Sequence, residues 1–157
     1  MIKAEELGKG VKQYGTPLYV YDLDEINNTA VVFREHFRET ASLCFAMKAN
    51  PFLTRQMSER VDRIEVCSMG EYRICRMLGI KKDRFLISGV LKEKDDILEI
   101  LKDCGGECAY TVESPNQFYG LANWSEENCE VLHVYLRLTS GNQFGMDEKM
   151  ICQLIKE

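Results

Sequence analysis

The sequence predicts an α/β fold in which about five parallel strands alternate with helices, and the N-terminal part of a (β/α)8 TIM-like barrel is one of two arrangements of such units. Three observations predict it. Short runs rich in Val, Ile, Phe and Tyr recur along the 157 residues, each followed by a segment of helical periodicity. Several junctions carry helix-capping signatures immediately after the strand-like run. No junction carries a nucleotide-binding glycine fingerprint, since Gly8-Lys9-Gly10 is too short and precedes no strand–helix turn. Strand–helix alternation implies right-handed βαβ units and a parallel sheet. A closed barrel needs about 250 residues. An open doubly wound sheet is the alternative that would be complete at this length.

The elements follow in order. "PLYVYD" (17–22) reads as a strand. Asp22 and Glu25 have capping-box spacing and open a helix over 23–38, ending near Arg38, with Ile26, Ala30, Phe33 and Phe37 on its apolar face. "SLCFAMKA" (42–49) reads as a strand, and Pro51 suits the first turn of a helix over 51–60. "RIEVCS" (63–68) is a strand; Ser68 and Glu71 repeat the capping-box spacing for a helix that stops before Gly79. "RFLISG" (84–89) is a strand, followed by a helix over 93–103 that Gly105-Gly106 breaks. "CAYTVE" (108–113) is a strand, and "SPNQ" (114–117) supplies an N-cap, a proline at the first helical position and a glutamine at the third. "EVLHVYLRL" (130–138) is a strand. Asp147 caps a last helix from Glu148 that is still periodic at Glu157, so the pattern reads as unfinished.

Composition narrows the function classes. The chain is 45% hydrophobic and 29% charged, which is ordinary for a globular domain. A net charge of -5, with no basic run, argues against a nucleic-acid surface. The first ten residues lack the apolar stretch of a signal peptide, and no window approaches the length of a membrane span. Seven scattered cysteines without a CxxC, and only two histidines, argue against a disulfide framework or a zinc site. A reduced, cytoplasmic protein is the expectation.

Side chains alternate along a strand, and that assigns faces. Over 43–48, Leu43, Phe45 and Met47 share a bulky face, while Cys44, Ala46 and Lys48 share a small one that ends in an amine. Glu65 and Cys67 share a face, as do Val131, His133, Tyr135 and Arg137. Three strands thus offer polar groups on one face: Lys48, Glu65, and Arg137 with His133. If those faces meet, Glu65 and Arg137 can pair, the usual condition for burying charge. Plainer roles weigh against each. A strand-end lysine most often snorkels into water, Ser68 and Glu71 are sufficiently explained as caps, and His133 as a wall residue.

"GTPLYVYDLDEI" (15–26), "CFAMKANP" (44–51), "EVCSMGEYRICRMLGI" (65–80) and "LRLTSGNQFGMDEK" (136–149) together resemble, in order and spacing, the fold-type III pyridoxal-phosphate decarboxylases. These are the diaminopimelate, ornithine and arginine decarboxylases, relatives of alanine racemase. The resemblance runs over about residues 11–157. It implies a pyridoxal 5'-phosphate enzyme of polyamine or lysine biosynthesis, a homodimer when full length, in which Lys48 forms the internal aldimine. An amine among small residues is a usable nucleophile once deprotonated. It implies that Glu65 lies near the cofactor ring, that Arg137 pairs with that acid, and that Ser68, Glu71 and His133 are supporting residues at most.

It also implies a division into 1–22, carrying the strand that joins a C-terminal β domain, and 23–157, a partial barrel. Many relatives read Ser-Lys-Phe-Gly where this chain has Asn142-Gln143-Phe144-Gly145. Loss of that cation turns the expected substrate toward unusual or carrier-tethered amino acids. The histidine that stacks on the cofactor, the glycine-rich phosphate loop and the C-terminal Cys-Asp segment of the family have no counterpart in these residues. The chain is therefore expected to be an incomplete fragment, inactive alone. A racemase on the same fold and a non-enzymatic cofactor-binding barrel are the alternatives.

Overall fold

The structure is a computed structural model that describes residues 2–37, 40–89, 93–141 and 143–157. The expected helix end at Arg38, and Asn142, lie outside the described residues. The chain divides into two compact units, Met1–Leu43 and Cys44–Glu157.

The first unit holds two helices. Helix α1 (Ala4–Tyr14) was not expected from the sequence. Gly8 and Gly10 hide it, because each costs a helix interior about 1 kcal/mol relative to alanine. Its ends explain why it forms. The Lys3 backbone N–H donates to the Glu6 carboxylate at 3.0 Å, Glu5 pairs with Lys9 one turn on at 2.8 Å, and Gly15 closes it at φ 79°. Residues 17–22 form no strand, which departs from the expectation. A strand exists only with a partner ladder, and none pairs with this segment among the described residues. Helix α2 (Leu23–Phe37) begins as expected, with Asp22 Oδ1 accepting from the Glu25 N–H at 3.1 Å. Ala30 is buried, and Phe33 stacks on Phe37.

The second unit is a five-stranded parallel sheet in which β1 (Cys44–Ala46), β2 (Arg63–Val66), β3 (Phe85–Ile87), β4 (Ala109–Val112) and β5 (His133–Leu136) lie in chain order. Doubly wound sheets reverse their strand order part-way along. A sequential order without reversal is that of a barrel wall, so the open-sheet alternative falls. The register sets Ala46 beside Glu65, Glu65 beside Leu86, and Tyr110 beside Val134. Ile64, Val66, Phe85, Ile87, Tyr110 and Val112 form the buried face of β2 to β4.

The connecting helices follow their caps. Pro51 opens a 3-10 turn (Pro51–Leu53) that runs into α3 (Thr54–Ser58). At α4 (Met69–Met77), Ser68 Oγ accepts from the Glu71 N–H at 3.3 Å, and the Glu71 carboxylate accepts from the Cys67 N–H at 2.7 Å. Helix α5 (Lys94–Cys104) stops at Gly105, φ 49°. Helix α6 (Pro115–Asn128) starts from Ser114, whose hydroxyl accepts from the Gln117 N–H, and α7 (Glu148–Leu154) from Asp147, whose carboxylate accepts from the Met150 N–H at 2.7 Å. No helix among the described residues is long and apolar enough to cross a membrane.

Candidate active site

Each strand delivers a residue at its C-terminal end, and these residues line one cleft of about 300 Å³. Lys48 follows β1. Glu65 lies within β2 and Cys67 follows it. Ser88 and Gly89 follow β3, Glu113 follows β4, and Arg137 follows β5, with Phe144 reaching in from the loop beyond. The C-terminal face of a barrel wall is where this architecture places its chemistry. The sequence expectation that Lys48, Glu65 and Arg137 share a face therefore meets a cleft that holds all three.

Two details differ from the expectation. Strand β1 ends at Ala46, so Lys48 sits in a 3-10 turn (Met47–Ala49) rather than on the strand. Met47 is the residue that turns in: it is fully buried and accepts from the Cys75 thiol at 3.5 Å, while Lys48 is exposed. The second difference concerns Arg137. It does not pair with Glu65; its Nη1 donates to Glu113 Oε2 at 2.8 Å. Sheet spacing is the reason. Neighbouring strands lie about 4.8 Å apart, so β2 and β5, three intervals distant, are separated by about 14 Å, whereas β4 and β5 adjoin.

Glu113 is 2% exposed at its side chain and Arg137 46%. The other carboxylate oxygen of Glu113, Oε1, is buried and has no hydrogen-bond partner among the described residues. The Glu113 N–H donates to Gln117 Oε1 at 2.9 Å, which ties the acid to the first turn of α6. The guanidinium carbon of Arg137 stands 5.1 Å from the centre of the Phe144 ring, a cation–π contact. The backbone holds Arg137 as firmly: its N–H donates to Val112 O at 2.9 Å and its carbonyl accepts from the Met146 N–H at 2.8 Å. That return of the chain depends on Gly145, at φ 83°, where a Cβ would stand 2.7 Å from the Arg137 carbonyl. On the cleft floor, Gly89 at φ 101° lets the backbone after β3 approach Cys67. Burial first, then the Glu65 carboxylate, pushes the Cys67 thiol above its ordinary pKa, against the pull of Lys48.

The remaining expected residues lie elsewhere. Ser68 and Glu71 act as the caps of α4. His133 begins β5, beside Ala109, at the opposite end of the strand from Arg137, and does not line the cleft. Gln143 is exposed and also outside the lining. Sequence reasoning missed Glu113, Cys67 and Phe144 as site residues. A signal for Glu113 was available: it directly follows a strand and precedes a Ser-Pro cap, the strand-end position that Arg137 also occupies. Among the described residues no group of His, Cys, Asp or Glu could hold a metal ion, and the seven cysteines are unpaired.

Comparison with known proteins gives a consistent outcome. No family model matches the chain. It is 33% identical over 105 residues to the diaminopimelate decarboxylase of Helicobacter pylori (strain J99), covering 65% of this chain and 25% of that protein. It is 30% identical over 100 residues to the diaminopimelate decarboxylase of Aquifex aeolicus, covering 62% and 24%. The match to the L-glutamyl-[BtrI acyl-carrier protein] decarboxylase of Niallia circulans is weaker, at 26%, but longer: 156 residues, 89% of this chain and 36% of the relative. The aligned stretches thus span about a quarter to a third of these curated relatives. Among solved structures, SrLDC in complex with PLP and cadaverine superposes with a TM-score of 0.84 at 22% identity, over 99% of this chain and 40% of that one. The lysine/ornithine decarboxylase of Vibrio vulnificus complexed with putrescine gives 0.82 at 20%, over 99% and 42%. At these identities the structures establish the fold, a five-strand portion of the decarboxylase barrel.

Proposed function

We propose, for a chain that corresponds to the N-terminal portion of the fold-type III pyridoxal-phosphate decarboxylase family, that it is the cofactor-attachment portion of an amino-acid decarboxylase and that Lys48 is the attachment residue. The observation that carries this reading is the convergence of Lys48, Glu65 and Arg137 on one cleft at the strand C-termini. The cleft lies at the small end of the volumes usual for ligand pockets, about 300–1,000 Å³. Its donor set fits the aldehyde and ring end of pyridoxal phosphate: an exposed amine, two carboxylates and a guanidinium with donors beyond the one engaged by Glu113. The unpartnered Oε1 of Glu113 is a buried acceptor suited to a ligand donor.

When bound, pyridoxal phosphate supplies the electron sink for loss of the substrate carboxylate. The chain's own part is narrower. Lys48 provides the covalent anchor and an amine able to carry a proton at Nζ. Arg137 offers directed N–H donors, held by Glu113 and by the ring of Phe144. Glu65 offers an acceptor oxygen from the β2 side. The phosphate grip that the resemblance implies has no counterpart among the lining residues, and the outer strand β5 leaves Val134, Tyr135 and, beyond it, Leu138 exposed. The 157 residues alone are therefore proposed to anchor the cofactor without turning over substrate, and the division at residue 22, the β-domain strand of 17–22 and the full-length homodimer stand as proposals with it.

A second reading concerns the substrate. The match to a decarboxylase that acts on a carrier-bound glutamyl group extends over more of this chain than the two diaminopimelate decarboxylase matches, and Gln143 replaces the cation many relatives carry. We therefore include a carrier-tethered amino acid among the candidate substrates. The test is a screen for CO₂ release from diaminopimelate, lysine, ornithine, arginine and an aminoacyl carrier protein. It is run with pyridoxal phosphate on the 157-residue chain and on the longest polypeptide that contains it. Release from the longer polypeptide alone is the expected result. Racemisation without CO₂ would replace the decarboxylase reading, and release by the 157 residues would overturn their proposed inactivity alone.

A further inference from the structure

We propose that Glu113 is the positioning residue of the cleft: it, and not Glu65, fixes the guanidinium of Arg137 where an entering ligand meets it. The inference rests on the reading of this cleft as the cofactor site. Four observations carry it. Glu113 is almost wholly buried at the end of β4, yet it is a carboxylate. A charge in that position is stable only against a partner, and among the described residues its partner through Oε2 is Arg137 Nη1 at 2.8 Å. The Arg137 backbone N–H is bonded to Val112, the residue before Glu113, so the two side chains start from adjacent points of one ladder. The Phe144 ring faces the guanidinium, and the Gly145 turn next to it lies close to the Arg137 carbonyl.

What remains open is informative. Oε1 of Glu113 lacks a partner among the described residues while belonging to a cleft-lining residue, so the acid is not consumed by the ion pair. Leaving a buried acceptor unmet is costly, and a purely structural pair would be expected to bury both oxygens on donors. Glu65, by contrast, lies three strand intervals from Arg137 and lines the cleft from the β2 side.

The test has a ligand-free arm and a ligand arm, both on the full chain. In the free protein, the Nη resonances of Arg137 are read by nitrogen-15 NMR. Restricted rotation is expected in the parent and in Glu65→Gln, and averaging in Glu113→Gln. In the ligand arm, pyridoxal phosphate affinity is titrated by absorbance. Glu113→Gln is expected to weaken it about tenfold or more, matching Arg137→Gln, with the double variant no weaker than either single one. A role in stability alone would lower the melting temperature of Glu113→Gln and leave the affinity within twofold, which overturns the inference. So does averaging in Glu65→Gln with Glu113→Gln still restricted.

Should Glu113→Gln fail to fold, Glu113→Asp, which withdraws the charge by one methylene, is expected to loosen the same resonances, and unchanged resonances would count against Glu113. If the parent chain takes up no pyridoxal phosphate at Lys48, the cofactor reading fails by itself, while the NMR comparison still decides which acid holds Arg137.

Discussion

Arg137 illustrates how far single residues could be read from the chain. Alternation along "EVLHVYLRL" put its side chain on the polar face, and the structure sets it in the same cleft as Lys48 and Glu65. Its partner was misassigned because face alternation says which side a residue takes and not which strand adjoins it; once β4 and β5 are neighbours, Glu113 is the acid within reach. The position of Lys48 is also blurred in the sequence, since the strand expected to reach residue 49 ends at Ala46 and a 3-10 turn carries Lys48. Gly145 holds the loop beyond Arg137 at a positive φ, with the Arg137 carbonyl 2.7 Å from where a β-carbon would stand. Gly145→Ala is expected to destabilise the chain by at least about 1 kcal/mol from the left-handed backbone alone, with the backbone clash adding to it. Urea unfolding measures the loss, and a neutral result would show that the loop relaxes freely.

At the scale of elements, caps were the most legible feature. Asp22, Ser68, Ser114 and Asp147 each accept from the backbone N–H three residues on, as their spacing foretold. Helix α1 was not legible, and the strand expected over 17–22 is not formed among the described residues, for opposite reasons. Two glycines masked a helix, and a β-rich run found no ladder. A knot of side chains away from the cleft ties three elements together. The Tyr72 hydroxyl of α4 donates to the Asp103 carboxylate at the end of α5, which also pairs with Arg76 at 2.9 Å and with Lys82, ahead of β3, at 3.0 Å. The Tyr72 hydrogen bond, then Lys82 and Arg76, hold Asp103 below its usual pKa, although burial opposes them.

A carboxylate depressed in the folded state contributes stability that is present above its unfolded pKa and is lost as pH falls through the folded value. Tyr72→Phe is therefore expected to cost about 1 kcal/mol at neutral pH. The gap to the parent should narrow from about pH 4 downward, where the unfolded carboxyl takes up its proton. Denaturant midpoints across pH 2.5–7 check this, and a gap independent of pH would remove Asp103 from the explanation.

For the whole molecule, the sequence led to parallel βαβ units but left barrel and open sheet both standing. Sequential strand order decided for the barrel wall, a property that resides in long-range pairing and in no local pattern. The same sheet explains why one cleft gathers residues spaced from Lys48 to Phe144: each βα junction contributes one or two positions to a common rim. The central claim is that Lys48 anchors pyridoxal phosphate on that rim. Incubation of the chain with pyridoxal phosphate, reduction with borohydride and peptide mapping by mass spectrometry test it most directly. A phosphopyridoxyl group on Lys48, lost in Lys48→Ala, is the expected result. Labelling of another lysine in preference, or labelling undiminished in Lys48→Ala, would contradict it.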